Sequence, residues 1–162
     1  VLSLSRFFRI NLKQNTAVVT LKEEIDHVNA YLAIEKARFA ERLQVAIKCD
    51  DAAMSALLPS FTLQPLVENA VKHGIAQRIE GGHLTLNVRC TTDNHIHILV
   101  EDNAGLYKPK KEQHAGLGMD IVDKRLIHQF GQQAGLVIEC RTNQFTRMSF
   151  SIPHTHYHSH QG

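Results

Sequence analysis

Three things are scarce in this chain: cysteine, net charge and long apolar runs. Cys49, Cys90 and Cys140 lie far apart and form no CxxC spacing, so neither a disulfide framework nor a zinc site is signalled. A reducing cytoplasm is the expected compartment. Lys+Arg number 18 against 16 Asp+Glu, a formal charge of +2. So weak a field excludes nucleic acid as the expected partner, and any anionic ligand has to be held locally. No apolar run approaches the roughly 20 residues of a membrane-spanning helix, and no signal peptide opens the chain. What is present is globular: 43% hydrophobic, 21% charged and 6% aromatic residues, in a length that supports one core rather than two full domains. Because the chain begins with Val1 and not Met, the expectation is a fragment, with any membrane segment in the missing part.

The patterning alternates between helix and strand. Residues 2–14 place Leu4, Phe7, Phe8, Ile10 and Leu12 at near-helical spacing and read as the end of a helix. A second helix is predicted over 21–39, with Thr20 as N-cap, Glu23 completing a capping box, and Ile25, Val28, Leu32 and 34–37 as its buried stripe. Residues 43–49 alternate as a strand, and a third helix is predicted from Pro59 to about Ala76. Strand patterns at 83–90 and 95–102 form one hairpin, and 136–142 and 145–152 a second. Between them a helix over 117–130 ends at Gly131. Residues 103–116 hold three Gly or Pro and four charges, a loop of a length that is usually functional. The expected architecture is an α/β two-layer sandwich with a mixed sheet.

Three pieces carry chemistry. In the segment Leu63-Gln64-Pro65-Leu66-Val67-Glu68-Asn69-Ala70-Val71-Lys72-His73-Gly74, plotting about 100° per residue puts Leu63, Leu66, Val67, Ala70 and Val71 on one arc and Glu68, Asn69, Lys72 and His73 on the opposite one. The polar arc is either a solvated helix face or a set of hard oxygen ligands beside a positive charge, as a magnesium-bound polyphosphate requires. In the strand 95–102, Ile96, Ile98, Val100 and Asp102 share parity, so Asp102 ends an apolar row on the core side. A carboxylate there either caps its own turn or meets a donor such as the exocyclic amine of a purine. Gly116-Leu117-Gly118-Met119 opens a helix, where glycines admit close backbone approach and free N–H groups attract anions.

In this order, Glu68-Asn69-Ala70-Val71-Lys72-His73-Gly74, Asp102-Asn103-Ala104-Gly105 and Gly116-Leu117-Gly118-Met119 resemble the N, G1 and G2 boxes of the GHKL ATPase superfamily. With the flanks Leu63 to Asn69 and Tyr31-Leu32-Ala33-Ile34-Glu35-Lys36-Ala37-Arg38-Phe39, the chain resembles the LytS-type sensor histidine kinases of the YpdA and BtsS (YehU) group over roughly residues 2–153. The resemblance implies a Bergerat fold, a mixed, mostly antiparallel sheet with helices on one face, and ATP held under a lid made by 103–116. It implies that Asn69 ligates Mg²⁺, Lys72 approaches the phosphates, His73 contacts the nucleotide and Asp102 reads the adenine amine. Gly116, Leu117 and Gly118 then border the phosphates, and Thr146 lies near the adenine. Glu68 is either a general base for water or a group that orients the accepting histidine.

It further implies residues 1–15 as the end of a dimerisation region, 16–153 as the catalytic domain and 154–162 as a His-rich tail. The full protein is then a homodimeric, inner-membrane sensor with this part in the cytoplasm. It moves the γ-phosphoryl of ATP to a histidine and on to a response regulator with a LytTR DNA-binding domain. The family's Asn-Pro-His-Phe-Leu-Phe-Asn acceptor motif does not occur here. His95 and His97 have odd parity and face away from the apolar row. The family's Asp-x-Gly-x-Gly is Asp102-Asn103-Ala104-Gly105-Leu106 in this chain, so Ala104 brings a methyl to the adenine side and Gly105 takes over by a one-residue shift. Two further readings remain open: a degenerate scaffold that binds nucleotide weakly, and a GHKL ATPase that activates water.

Overall fold

A computed structural model describes residues 17–109 and 118–154. The helix expected at 2–14, Gly116 and Leu117, and the tail beyond His154 lie outside the described residues. Helix α1 (Leu21–Phe39) begins on the expected capping box, in which Glu23 N–H donates to Thr20 Oγ1 at 3.2 Å and Thr20 N–H to Glu23 Oε2 at 3.3 Å. Its buried row is Leu21, Glu24, Ile25, Val28, Leu32 and Glu35. The expected burial of 34–37 is corrected: Ile34 is 69% exposed and Ala37 is exposed as well. Two residues beyond Leu32 a side chain has turned by roughly 200° around the helix, so Glu35 rather than Ile34 faces inward.

Strands β1 (Val18–Thr20), β2 (Leu43–Cys49), β3 (Leu57–Pro59), β4 (Gly82–Cys90), β5 (His95–Asp102), β6 (Val137–Arg141) and β7 (Phe145–Pro153) make two sheets. The larger has the order β2-β4-β5-β7-β6, with β2 and β4 parallel and every other pair antiparallel. Alternation sets its two faces. Leu84, Leu86, Val88, Ile96, Ile98, Val100, Met148, Phe150 and Ile152 are buried beneath the helices, each contributing about 1.5–3 kcal/mol by leaving water. The intervening residues stay partly open, and across them Arg147 pairs with Glu101 at 2.6 Å and Glu139 at 3.2 Å. His97 stands on this open face beside Ser151 Oγ at 3.1 Å. This is the expected two-layer sandwich, helices on one face of a mixed, mostly antiparallel sheet. The three cysteines are free thiols.

The third helix departs from its expected start. Pro59 pairs with Val18 in a short β1–β3 ladder that the sequence reading did not anticipate. Phe61 then takes a left-handed φ of +60°, and helix α2 (Leu63–Asn69) begins only afterwards. Its first N–H groups have no local cap. Instead Glu24, from α1, accepts from Phe61, Thr62 and Leu63 N–H at 2.7, 3.1 and 3.1 Å. From helix α3 (Met119–Phe130), Arg125 Nη1 donates to Ser60 O at 2.9 Å. Two helices therefore hold the start of a third.

Candidate functional site

Beyond Asn69 the helix α2 widens into a π-helical turn, Ala70–Gly74, followed by a 3₁₀ turn, Ile75–Gln77. Such turns are rare, and cluster where a helix serves a site. The apolar residues Leu63, Leu66, Val67, Ala70, Val71 and Ile75 remain buried through it. Glu68, Asn69, Lys72 and His73, the polar arc expected from the sequence, come together on one cavity of about 540 Å³. Within the arc, Lys72 Nζ lies 3.9 Å from Glu68 Oε2, and Gln64 Nε2 donates to Glu68 Oε1 at 3.3 Å. The ion pair is solvent-screened, so little free energy holds the two side chains together. Tyr107 and Lys108 form another wall, with Gly118 at the start of α3. A Cβ at Gly118 would meet nothing within 4 Å, which leaves free space at that point of the cavity.

Asp102 does not line this cavity. It ends the buried row of β5, 2% exposed, with Thr146 of β7 as its register partner. Its Oδ1 accepts from Ala104 N–H at 2.9 Å and Gly105 N–H at 3.2 Å, while Oδ2 accepts from none of the described residues. Burial raises the Asp102 pKa above the ordinary carboxylate range, and those two N–H groups offset part of the shift. Thr146, also 2% exposed, donates from Oγ1 to Cys140 Sγ at 3.5 Å. Gly105 has φ +65°, and a Cβ there would stand 2.2 Å from the carbonyl oxygen of Arg141. Its glycine is demanded by the β6–β7 turn it packs on, and it reaches the site through its N–H to Asp102. The Ala104 methyl is buried beside it.

Three participants escaped the sequence reading. Gly74 abuts Asp102: an ideal Cβ on Gly74 would lie 3.1–3.2 Å from Cγ, Oδ1 and Oδ2. Arg78 Nη1 donates to Asn103 O at 2.8 Å, and His83 N–H to Asn103 Oδ1 at 2.7 Å, which pin the residue after Asp102. Gly74 was legible in principle, as the small residue that ends the polar arc. The Arg78 and His83 contacts span 25 and 20 residues and leave no local pattern.

The donor set fits a magnesium nucleotide. Asn69 and Glu68 offer hard oxygens, Lys72 an ammonium, and Asp102 a buried acceptor with one oxygen unused.

A family model described as "Histidine kinase-, DNA gyrase B-, and HSP90-like ATPase" matches residues 57–156, and one described as "Histidine kinase" matches residues 1–43. The chain is 48% identical over 150 residues to the sensor histidine kinase BtsS of Escherichia coli (strain K12), covering 93% of this chain and 26% of that protein. It is 36% identical over 160 residues to the sensor histidine kinase/phosphatase LytS of Staphylococcus aureus (strain MRSA252), covering 90% and 27%. It thus spans about a quarter of the length of the curated relatives it matches. Among solved structures, the catalytic domain of histidine kinase ThkA superposes with a TM-score of 0.61 at 16% identity, over 88% of this chain and 99% of that one. Acinetobacter baumannii histidine kinase AdeS does so with 0.59 at 12% identity, over 94% and 74%.

Proposed function

The chain belongs to the histidine kinase-, DNA gyrase B- and HSP90-like ATPase family, and we propose that it is the ATP-binding catalytic part of a two-component sensor histidine kinase. The observation that carries the proposal is the joint placement of Glu68, Asn69, Lys72 and His73 on one cavity, together with a buried Asp102 whose Oδ2 no described residue occupies. Asp102 accepts from the adenine amine, with Thr146 beside it and Gly105 holding its other oxygen. Lys72 approaches the phosphates, His73 contacts the nucleotide, and Gly116, Leu117 and Gly118 border the phosphates. Asn69 holds Mg²⁺, which supplies charge neutralisation on the phosphates when bound. Glu68, steadied by Gln64, orients the accepting histidine. Positioning and charge neutralisation supply most of the catalysis.

In the same reading, residues 1–15 end a dimerisation region, 16–153 form the catalytic domain, and 154–162 are a tail. The whole protein is a homodimeric inner-membrane sensor with this part in the cytoplasm, and it passes phosphoryl from a histidine to a response regulator with a LytTR DNA-binding domain. Among the described residues no helix is long and apolar enough to cross a membrane.

Calorimetric titration with a non-hydrolysable ATP analogue tests the site. We expect Mg²⁺-dependent heat that Asn69→Ala and Asp102→Asn each reduce. No heat at sub-millimolar protein, the outcome for a degenerate scaffold carrying Ala104, would sink the reading. With the upstream histidine-bearing helices present, acid-labile protein phosphate identifies the kinase, whereas released inorganic phosphate alone identifies a water-activating ATPase.

A further inference from the structure

We propose that Gly74 is a specificity-determining residue, whose missing side chain lets the π turn lie directly on the Asp102 carboxyl and keep it aimed at a 6-amino purine. This deepens the nucleotide reading above and rests on it. Gly74 ends the turn that follows Asn69 and carries Lys72 and His73. Its φ of −114° is not left-handed and its ψ is −89°, so the sign of φ does not by itself call for a glycine. Space does. A Cβ built on Gly74 would lie 3.1 Å from Asp102 Cγ, 3.1 Å from Oδ1 and 3.2 Å from Oδ2. Near-equal distances to all three atoms place that carbon over the flat face of the carboxyl group.

The carboxyl group has little freedom to yield. It is 2% exposed, and Oδ1 is tied to Ala104 and Gly105 N–H. Those residues are anchored in turn, because Asn143 N–H donates to Gly105 O at 3.0 Å and Arg78 holds Asn103 O. A methyl group at position 74 therefore rotates or displaces Oδ2, the carboxyl oxygen that no described residue occupies. The phosphate side feels less, since Lys72 and His73 are exposed and point into the open cavity. Gly74 thus joins the two halves of the site: the helix that handles phosphate rests on the strand end that reads the base.

The test compares ATP with inosine triphosphate, which carries a 6-oxo group in place of the amine, on the 162-residue chain. Gly74→Ala should lower the preference for ATP over inosine triphosphate by about tenfold, as expected when a hydrogen bond to a discriminating group is lost. Affinity for inorganic tripolyphosphate should stay near that of the parent chain. In an Asp102→Asn background the same substitution should leave the remaining preference unchanged, because it acts through that carboxylate. An unaltered preference in Gly74→Ala, or an equal loss in both backgrounds, overturns the proposal while leaving the nucleotide reading intact. A parent chain that does not discriminate the two nucleotides overturns both.

Should Gly74→Ala alone fail to fold, pairing it with Asp102→Ala removes all three atoms in its way. The pair must then melt with Asp102→Ala alone, and a pair that stays unfolded overturns the steric argument.

Discussion

Glu24 and Asp102 are two buried carboxylates, each 2% exposed and each shifted upward in pKa mainly by burial. They differ in what their oxygens do. At Glu24 both oxygens are employed: Oε1 takes Phe61 N–H, and Oε2 takes Thr62 and Leu63 N–H. At Asp102 both bonds fall on Oδ1, and Oδ2 is left over. The first group closes the start of a helix and has nothing left to offer a ligand. The second closes a turn and retains one oxygen that no described residue occupies. Burial and pKa alone do not separate these two acids, but the count of their unused oxygens does.

Removing Glu24 should have the largest effect on stability. Glu24→Ala strands the buried N–H groups of Thr62 and Leu63 and should cost about 3 kcal/mol in urea unfolding, while folded molecules keep close to the parent affinity for nucleotide. A loss of affinity without a loss of stability would erase the distinction. Asp102→Asn should do the reverse, stabilising the fold at neutral pH while weakening base recognition.

The pH dependence follows from the direction of the shift. The folded Asp102 pKa lies above the unfolded value, so its ionisation does not weaken the fold in acid, where both states hold the proton. The penalty appears as pH rises through the folded value. The advantage of Asn should therefore vanish below the ordinary carboxylate range and grow toward neutrality, as thermal melts across pH will show. The smallest effect is expected from Lys72→Gln. Its partner Glu68 is 3.9 Å away on an exposed surface, so melting should not move, and only the affinity for the triphosphate should fall.

Much of this difference could be read from the sequence on the Asp102 side and little on the Glu24 side. Period-two alternation places Asp102 at the end of a buried row, and the polar arc of Glu68, Asn69, Lys72 and His73 follows from helical spacing. The capping box at Thr20 is a contact over three residues and was equally plain. Glu24 caps a helix 37–39 residues away, a pairing that only tertiary structure creates. The short β1–β3 ladder was hidden for the same reason, since three residues on each side are too few to show an alternation. Gly105 was legible as a glycine that the site needs, but the neighbour that demands it is the carbonyl of Arg141 on another hairpin.

The π turn at Ala70–Gly74 makes this stretch more sensitive to length than to composition. In an ordinary helix a surface substitution changes one side chain and leaves its neighbours in place. Here the widened turn sets the angular phase between Asn69 and Gly74, so deleting a single codon between them would rewind the helix. Every later side chain would rotate, and Gly74 would be carried off Asp102 with the reading frame preserved.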